Sequence, residues 1–376
     1  MDQFHDALTR VIDDVASPGA RQVDETGSFP SDSIAALGDA GILGLTTAAE
    51  LGGGGGGMRA AASVIEALAG ACGSTAMIVM MHYAASALLE SHGPEEVRKA
   101  IAAGQHLTTL AFSEAGSRSH FWAPLSRARI DGDTVVLDAQ KSWVTSAARA
   151  DSYVWSSQPV AATGAMTLWL VPSDRPGLGV SGPFDGLGLR GNGSVPVAAE
   201  GVTIPRSAQL GEDGAGLDLA LAVVLPWFLV LSSAFSLGLM EATTAETGRH
   251  LTSTRLEHLD RRLIELPLPR SDYARMRVTT DTVRAFLNDT LDALESGRPD
   301  ATLRVLETKA VASDAALTVT DLAMKVCGGA AFRKELGIER RFRDAQAARV
   351  MAPTTDALLD FVGRAIGGLD LLDPNV

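Results

Sequence analysis

Apolar residues recur at helical spacing through the first part of the chain. Phe4, Leu8 and Val11 fall on one helical face. The segments 58–72 and 74–90 continue the helical pattern, and the second is apolar almost all round. Such a helix is typical of a buried core. The pattern predicts an all-helical domain over residues 1–108.

The pattern then changes to short alternating runs rich in β-branched and aromatic residues, separated by Gly, Asp and Pro. The turn DGDT at 131–134 joins two such runs and predicts a hairpin. Long helical patterns return at 217–250, 269–296 and 300–327. We therefore expect an α+β fold with a β domain at 109–212 and a helical domain at 213–376.

The segment 343–365 predicts a helix, a sharp turn at Ala352-Pro353 and a second helix. Proline is well tolerated at a first helical position, because the N–H it lacks would be unpaired there. Residues 354–356 would then lie in the first turn, near free backbone N–H groups and the positive end of the helix dipole. Such a helix start suits an anionic or electron-rich ligand, and it is equally a polar helix start without one.

Composition narrows the classes of function. The chain of 376 residues carries a net charge of −13 and a pI near 5.0, which argues against a nucleic-acid partner. Its two cysteines, Cys72 and Cys327, are far apart and predict neither a disulfide framework nor a metal site. The N-terminus has no apolar signal core, and no run looks long enough to span a membrane. We expect a cytoplasmic protein without membrane contact.

Several motifs, in order along the chain, resemble signatures of the acyl-CoA dehydrogenase superfamily. They are AELGG at 49–53, FSEAGS at 112–117, QKSWVTSA at 140–147, GLRGN at 188–192, and KVCGG with ERRFRD at 325–344. Together they cover essentially the whole chain. The resemblance implies a fold with an N-terminal helical domain, a central β-barrel-like domain and a C-terminal four-helix bundle.

The resemblance also implies a flavin, FAD rather than FMN, clasped by the β domain and the C-terminal helices. Backbone at Phe112 and Ser113 would meet the pyrimidine edge, and Trp143 would offer a flat apolar face to the ring. The Thr145 hydroxyl would hydrogen-bond the flavin N5 position, which also makes it a catalytic candidate. Further cofactor contacts implied by the resemblance are Gly116, Ser117, Arg255, Lys325, Gly329, Thr354 and Asp356.

Three departures from the family pattern change this picture. After Arg255 the expected Phe-Gly is missing, and a family Gln is replaced by Lys325, which carries charge but cannot copy an amide's donor and acceptor. The stretch 116–122, which in the family lines the substrate entrance, is bulkier and more basic here. The implied substrate-binding residues are His120, Phe121, Trp122, Phe228 and Ala352.

The largest departure concerns the catalytic base. The family places a Glu where this chain has Ala352, and some members place it on another helix, where this chain has Phe228. Proton abstraction needs a base within hydrogen-bond reach. Asp356, one helical turn beyond Ala352, is a candidate for a displaced base, as is Glu241. The plainer interpretation of Asp356 is a first-turn helix acid.

Three functions therefore compete. The first is a flavin oxidoreductase acting on an acyl thioester bound to CoA or to a carrier protein. The second is a flavin monooxygenase of the same fold, with His82, Thr145 or His120 beside the flavin. The third is a non-catalytic partner subunit or ligand-binding protein. The implied partners are an acyl carrier protein, an electron-transfer flavoprotein or a flavin reductase, and the implied assembly is a homodimer or homotetramer.

Overall fold

The computed structural model describes residues 2–117 and 120–372. Helices precede and follow a β-rich middle, which confirms the predicted α+β fold. The chain forms two compact units. The first comprises 1–64, 74–186 and 190–228, and the second comprises 65–73, 187–189 and 229–376. The domain boundaries at 108 and 212 stay a prediction.

The N-terminal part is helical, as the apolar spacing predicts. Its helices are α1 (Asp2–Val11), a π-helical turn (Ile12–Ala16), α2 (Ser17–Thr26), α3 (Ser31–Asp39), α4 (Met58–Ala71), α5 (Gly73–His92) and α6 (Glu95–Ala102). Leu8 and Val11 are buried, in line with the predicted apolar face. Helix α5 is buried along most of its length, because it is apolar on every side.

The middle of the chain forms two four-stranded sheets. The strands are β1 (Thr108–Ala111), β2 (Arg127–Asp131), β3 (Thr134–Val144), β4 (Ser152–Ser157), β5 (Thr167–Pro172), β6 (Leu178–Val180), β7 (Val195–Pro205) and β8 (Gln209–Leu210). One sheet has the order β1-β4-β5-β8 and the other β2-β3-β7-β6. The predicted hairpin is confirmed, with Asp131 paired to Thr134. Both sheets contribute to one buried core, which includes Val135 and Val197 from one sheet and Trp155 and Trp169 from the other.

The C-terminal part is again helical. Its elements are α7 (Gly216–Leu219), a π-helical turn (Ala220–Val224), α8 (Leu225–Ser253), β9 (Arg255–Leu256), β10 (Arg261–Arg262), α9 (Pro267–Ser296), α10 (Ala301–Cys327), α11 (Gly329–Phe332), α12 (Ile338–Ala345), α13 (Ala347–Val350) and α14 (Thr355–Ile366). Short 3-10 turns lie at Ala49–Leu51, Arg206–Ala208, Glu257–Leu259, Leu263–Glu265 and Lys334–Leu336. Within the second unit, α10 packs against α9, α12 and α14.

One expectation about apolar runs is wrong. The continuous helix Gly216–Ser253 has 38 residues and is long and apolar enough to cross a membrane by length and composition. Most of its apolar window, 61%, is buried within the fold. A core helix covered by protein on all sides has the same composition as a membrane span, so composition alone does not separate the two.

The C-terminal turn also differs from the prediction. Helix α14 begins at Thr355, and Thr354 is its N-cap, with the hydroxyl accepting from the Ala357 N–H at 3.4 Å. A threonine oxygen satisfies an otherwise unpaired helix N–H, which makes Thr354 the better start signal. Pro353 therefore lies outside the helix, and Asp356 falls in the first turn as predicted.

Candidate functional site

Trp143 lies on an irregularity of β3. The pairing of β3 with β7 shifts register between Lys141 and Val144, and Trp143 has a left-handed φ of 56°. The bulge turns the indole outward, so that Trp143 is 68% exposed while Val144 is buried. Its ring and that of Phe184 are nearly perpendicular, at 6.5 Å between centroids. An exposed aromatic face on a strained backbone is typical of a ligand contact.

Thr145 lies just beyond this bulge, and its hydroxyl is held by a neighbouring loop. Its Oγ1 is 3.0 Å from Oγ of Ser194, and either atom is able to donate. Asn192 orders that loop, because its Oδ1 accepts from the Ser194 N–H at 3.0 Å. A hydroxyl that accepts from Ser194 keeps its own hydrogen for a ligand. No motif marks Ser194 itself, although the adjacent GLRGN motif lies in this loop.

The segment 112–117 runs beside β3. The Ser142 N–H donates to the carbonyl oxygen of Ser113 at 2.9 Å, and the Ala115 N–H donates to that of Gln140 at 3.2 Å. Phe112 is buried and Ser113 is half-buried. The structure therefore brings the predicted pyrimidine-edge segment together with the strand that carries the exposed indole.

Gly116 and Ser117 shape the end of this segment. Gly116 has a φ of 94°, a left-handed conformation that favours glycine. A Cβ there would touch only the Leu125 side chain, at 3.6 Å, so backbone conformation rather than crowding selects the glycine. The Ser117 hydroxyl donates to the Glu114 carbonyl at 3.2 Å.

An aromatic cluster follows. His120 is exposed, and its Nδ1 lies 3.1 Å from the Ser117 carbonyl oxygen. The Trp122 ring meets His120 edge-on at 4.9 Å and Phe121 edge-on at 5.2 Å. Arg118 and Ser119, the basic part of the predicted entrance, lie outside the described residues. Phe121 is buried and Trp122 is half-buried, so His120 is the exposed member of this candidate substrate-binding cluster.

His82 lies in the core and bonds backbone groups, so it does not have the predicted catalytic role. It is fully buried; its Nε2 lies 3.0 Å from the Leu43 carbonyl oxygen, and its Nδ1 accepts from the Thr108 N–H at 3.2 Å. Burial lowers the pKa of His82 to about 4, so the ring is neutral near neutral pH. Since the backbone occupies both ring nitrogens, neither is available to a substrate.

In the second unit, two cations predicted to contact the cofactor are paired with acids. The Lys325 ammonium lies 2.8 Å from the Asp272 carboxylate and holds the pKa of that carboxyl below its usual range. Arg255 is ion-paired with Asp260 across the β9–β10 turn. Both cations remain more than half exposed, so a phosphate could compete for them. Gly329 has open space where a Cβ would be, so crowding does not explain that glycine.

Glu241 is unsuited to the predicted role of a base. Its carboxylate accepts from Arg277 at 2.8 Å through both oxygens and from Arg284 at 2.8 Å. The Arg277 hydrogen bond, followed by that of Arg284, lowers the pKa of Glu241 to about 2. A carboxylate this stabilised has little affinity for a proton at neutral pH. No local pattern links the two arginines to Glu241, because they follow it by 36 and 43 residues.

The turn that carries Ala352 is held by a buried lysine that no sequence motif marks. Lys309 on α10 is buried, and its Nζ donates to the carbonyl oxygens of Ala348 at 3.3 Å, Met351 at 3.1 Å and Pro353 at 2.9 Å. Burial lowers the pKa of Lys309 to about 8. Lys309 therefore ties both sides of the turn to the helix beneath it.

The remaining site candidates are half-buried or exposed. Asp356 is exposed in the first turn of α14, and Ala352 is half-buried. Phe228, described within the first unit, is half-buried on α8.

Over residues 2–117 and 120–372, no group of three or more His, Cys, Asp or Glu side chains is arranged to hold a metal ion.

The chain has helical elements, then two β-sheets, then helical elements again, and an exposed tryptophan lies on the β3 bulge. Comparison with models of known protein families identifies the family. Three acyl-CoA dehydrogenase models match: the N-terminal domain over residues 1–104, the middle domain over 109–216 and the C-terminal domain over 214–367. The chain belongs to the acyl-CoA dehydrogenase family. Members of this family are flavoproteins and oxidoreductases.

Individual proteins resemble the chain over nearly its whole length. The mitochondrial short-chain specific acyl-CoA dehydrogenase of Bos taurus is 27% identical over 373 residues, which cover 94% of this chain and 88% of that protein. Butyryl-CoA dehydrogenase from Megasphaera elsdenii aligns with a TM-score of 0.90 and 22% identity, over 97% of this chain and 98% of that one. The FAD complex of PigA aligns with a TM-score of 0.89 and 19% identity, over 97% of each chain. The two solved structures establish the shared fold.

Proposed function

We propose that this protein is an FAD-dependent oxidoreductase that oxidises an acyl thioester without the usual carboxylate base at residue 352. The observation that carries the proposal is Trp143, whose indole is 68% exposed on the β3 bulge beside Thr145. In a chain of this family, an exposed indole next to a polar hydroxyl fits one face of an isoalloxazine ring.

The chain's own groups suit that cofactor. The backbone at Phe112 and Ser113 lies beside β3, where the Ser142 N–H donates to the Ser113 carbonyl oxygen. When the Thr145 hydroxyl accepts from Ser194, its own hydrogen is free to bond a ring nitrogen. The capped start of α14 at Thr354 and the exposed cations Arg255 and Lys325 suit polar and phosphate parts of FAD. Bound FAD would accept the hydride from the substrate.

The base is the distinctive part of the proposal. Ala352 and Phe228 have no titratable group, and Glu241 is neutralised by two arginines. Asp356 remains the candidate base, because it is an exposed carboxylate in the first turn of α14, close in sequence to Ala352. With no carboxylate at 352 or 228, a monooxygenase that uses Thr145 or His120 is the second candidate, since oxygenation does not require that base.

Partners follow from the same chemistry. We infer a substrate thioester carried by CoA or by an acyl carrier protein. Reoxidation of the reduced cofactor would need an electron-transfer flavoprotein, whereas a monooxygenase would need a flavin reductase. We also infer a homodimer or homotetramer and a cytoplasmic location.

The test uses purified protein loaded with FAD. Under anaerobic conditions, a panel of acyl-CoA and acyl-carrier thioesters is added, and loss of the oxidised flavin absorbance is followed. Bleaching by a thioester supports dehydrogenation and shows which carrier is used. Bleaching by NADH and a reductase alone, followed by substrate hydroxylation in air, would replace the proposal with the monooxygenase.

A variant pair tests the cofactor site itself. Trp143→Ala should weaken FAD binding by about tenfold, since stacking on an aromatic face contributes on the order of 1 kcal/mol. Leu268→Ala is the control, because Leu268 is a large exposed apolar side chain on α9 and is not among the residues proposed to contact FAD. Equal FAD affinity in both variants would remove Trp143 from the site.

A further inference from the structure

Glu114 is a buried carboxylate surrounded by donors. It is 4% exposed. One oxygen accepts from the Leu125 N–H and from the Ser126 N–H, the latter at 3.0 Å, and the other accepts from the Ser126 hydroxyl and the Lys141 ammonium. These bonds tie Leu125, Ser126 and Lys141 to a single side chain.

Lys141 completes the arrangement from β3. Its side chain is fully buried, and its Nζ donates to Glu114, to the Ser156 carbonyl at 2.7 Å and to the Ser156 hydroxyl at 2.9 Å. The ammonium also lies 5.2 Å from the centre of the Trp155 ring. Burial lowers the pKa of Lys141 to about 8, and Glu114 opposes that shift.

A buried ion pair is a costly way to stabilise a core. Replacing such a pair with neutral side chains of similar volume is often neutral or stabilising, because neither charge then needs to leave water. The place of this pair in the chain points to another role. Glu114 directly follows Ser113, and Lys141 comes two residues before Trp143, so the pair joins the two segments that carry the proposed flavin contacts.

We propose that Glu114 and Lys141 are positioning residues that hold segment 112–117 against β3 and so align Ser113 with Trp143. The backbone bonds Ser142 to Ser113 and Ala115 to Gln140 flank the pair on either side. The ion pair fixes the spacing of these two backbone segments. The inference rests on the proposed function only in naming FAD as the ligand.

The experiment compares two double variants. Glu114→Gln with Lys141→Met removes both charges and keeps the side chains close in size. Glu90→Gln with Arg98→Met is the matched control, because this pair also lies in the first unit at 2.7 Å and its carboxylate also accepts a backbone N–H, that of Ala48 at 3.1 Å. The midpoint of thermal unfolding is measured for both double variants, so that any change in FAD binding is compared with the change in stability.

The first arm needs no flavin. Hydrogen exchange of the Ala115 and Ser142 amides is measured in FAD-free protein, and about tenfold faster exchange is expected in the Glu114/Lys141 variant but not in the control. The second arm measures the FAD dissociation constant and the visible circular dichroism of bound FAD. An approximately tenfold weaker affinity and an altered dichroism band are expected, even where the thermal midpoint matches that of the wild type.

The outcomes separate the two proposals. Wild-type exchange and wild-type FAD affinity in the Glu114/Lys141 variant would overturn the positioning role. A wild-type protein that binds no FAD would overturn the proposed function, and the exchange arm would still decide whether the pair orders the segment. If the double variant does not fold, Ser156→Ala replaces it, since it removes one acceptor of Lys141 and should change exchange and affinity in the same direction by less. No change in that variant would overturn the role.

Discussion

The Lys309 ammonium donates to the Pro353 carbonyl oxygen at 2.9 Å, across the turn that carries Ala352. It donates to Met351 as well, so the acceptors lie on both sides of Ala352. The hydrogen-bond acceptors of this buried ammonium are backbone carbonyl oxygens. Lysines are rarely fully buried unless they are paired. The turn thus has a defined support although residue 352 carries no carboxylate.

Lys309→Met should destabilise the protein by on the order of 1–3 kcal/mol, because it leaves buried carbonyls without a donor. The measurement is the free energy of unfolding in urea. Lys325→Met on the same helix is the control, since its exposed ion pair with Asp272 should contribute less than about 1 kcal/mol. Equal losses in the two variants would contradict a supporting role for Lys309.

Ala352→Glu should restore a base at the family position. If thioester oxidation is limited by proton abstraction, the rate of anaerobic flavin reduction should rise by about 10²-fold or more. Ala352→Gln has the same size without the base and should not raise the rate. A Glu variant no faster than the Gln variant would show that proton abstraction at this turn does not limit the reaction.

Asp356→Asn tests the displaced base. Loss of a general base should slow flavin reduction by about 10²- to 10⁴-fold. Asp360→Asn, an exposed acid on the same helix, provides the comparison. If Asp356 is only a first-turn acid, both variants would reduce at wild-type rates, and Asp356→Asn would lose about 0.3–1 kcal/mol of stability.

His82 predicts an acid limit to stability. Its pKa is about 4 in the folded protein and 6.5 in an unfolded chain. Between these two pH values, the imidazole is protonated in the unfolded chain and neutral in the folded protein. The free energy of unfolding is therefore highest above pH 6.5. It falls by on the order of 3 kcal/mol as the pH is lowered from 6.5 towards 4. Unfolding free energies of wild type and His82→Gln across this range should differ in slope. Parallel curves would contradict the assignment.

Much of the fold could be predicted from local patterns in the chain. The change from helical spacing to alternating runs near residue 108, and back again after residue 212, is a local signal carried by neighbouring residues. The DGDT hairpin is equally local. The five motif regions specify the family, and the alanine at 352 is visible without any structure.

The roles of several side chains depend on residues far away in the chain. His82 is a plausible acid–base residue until Leu43 and Thr108 occupy its nitrogens. Glu241 is a plausible base until Arg277 and Arg284 neutralise it. Periodicity carries no information about such partners, because they come from other elements of the fold.

At Trp143, the local sequence and the tertiary structure each determine one property of the same side chain. Its motif marked it as a flavin contact, whereas an alternating strand pattern would have allowed it to pack inward. The register shift against β7 and a left-handed backbone turn the indole out of the core. Local sequence thus specified the aromatic group, and pairing with a distant strand set the direction in which it points.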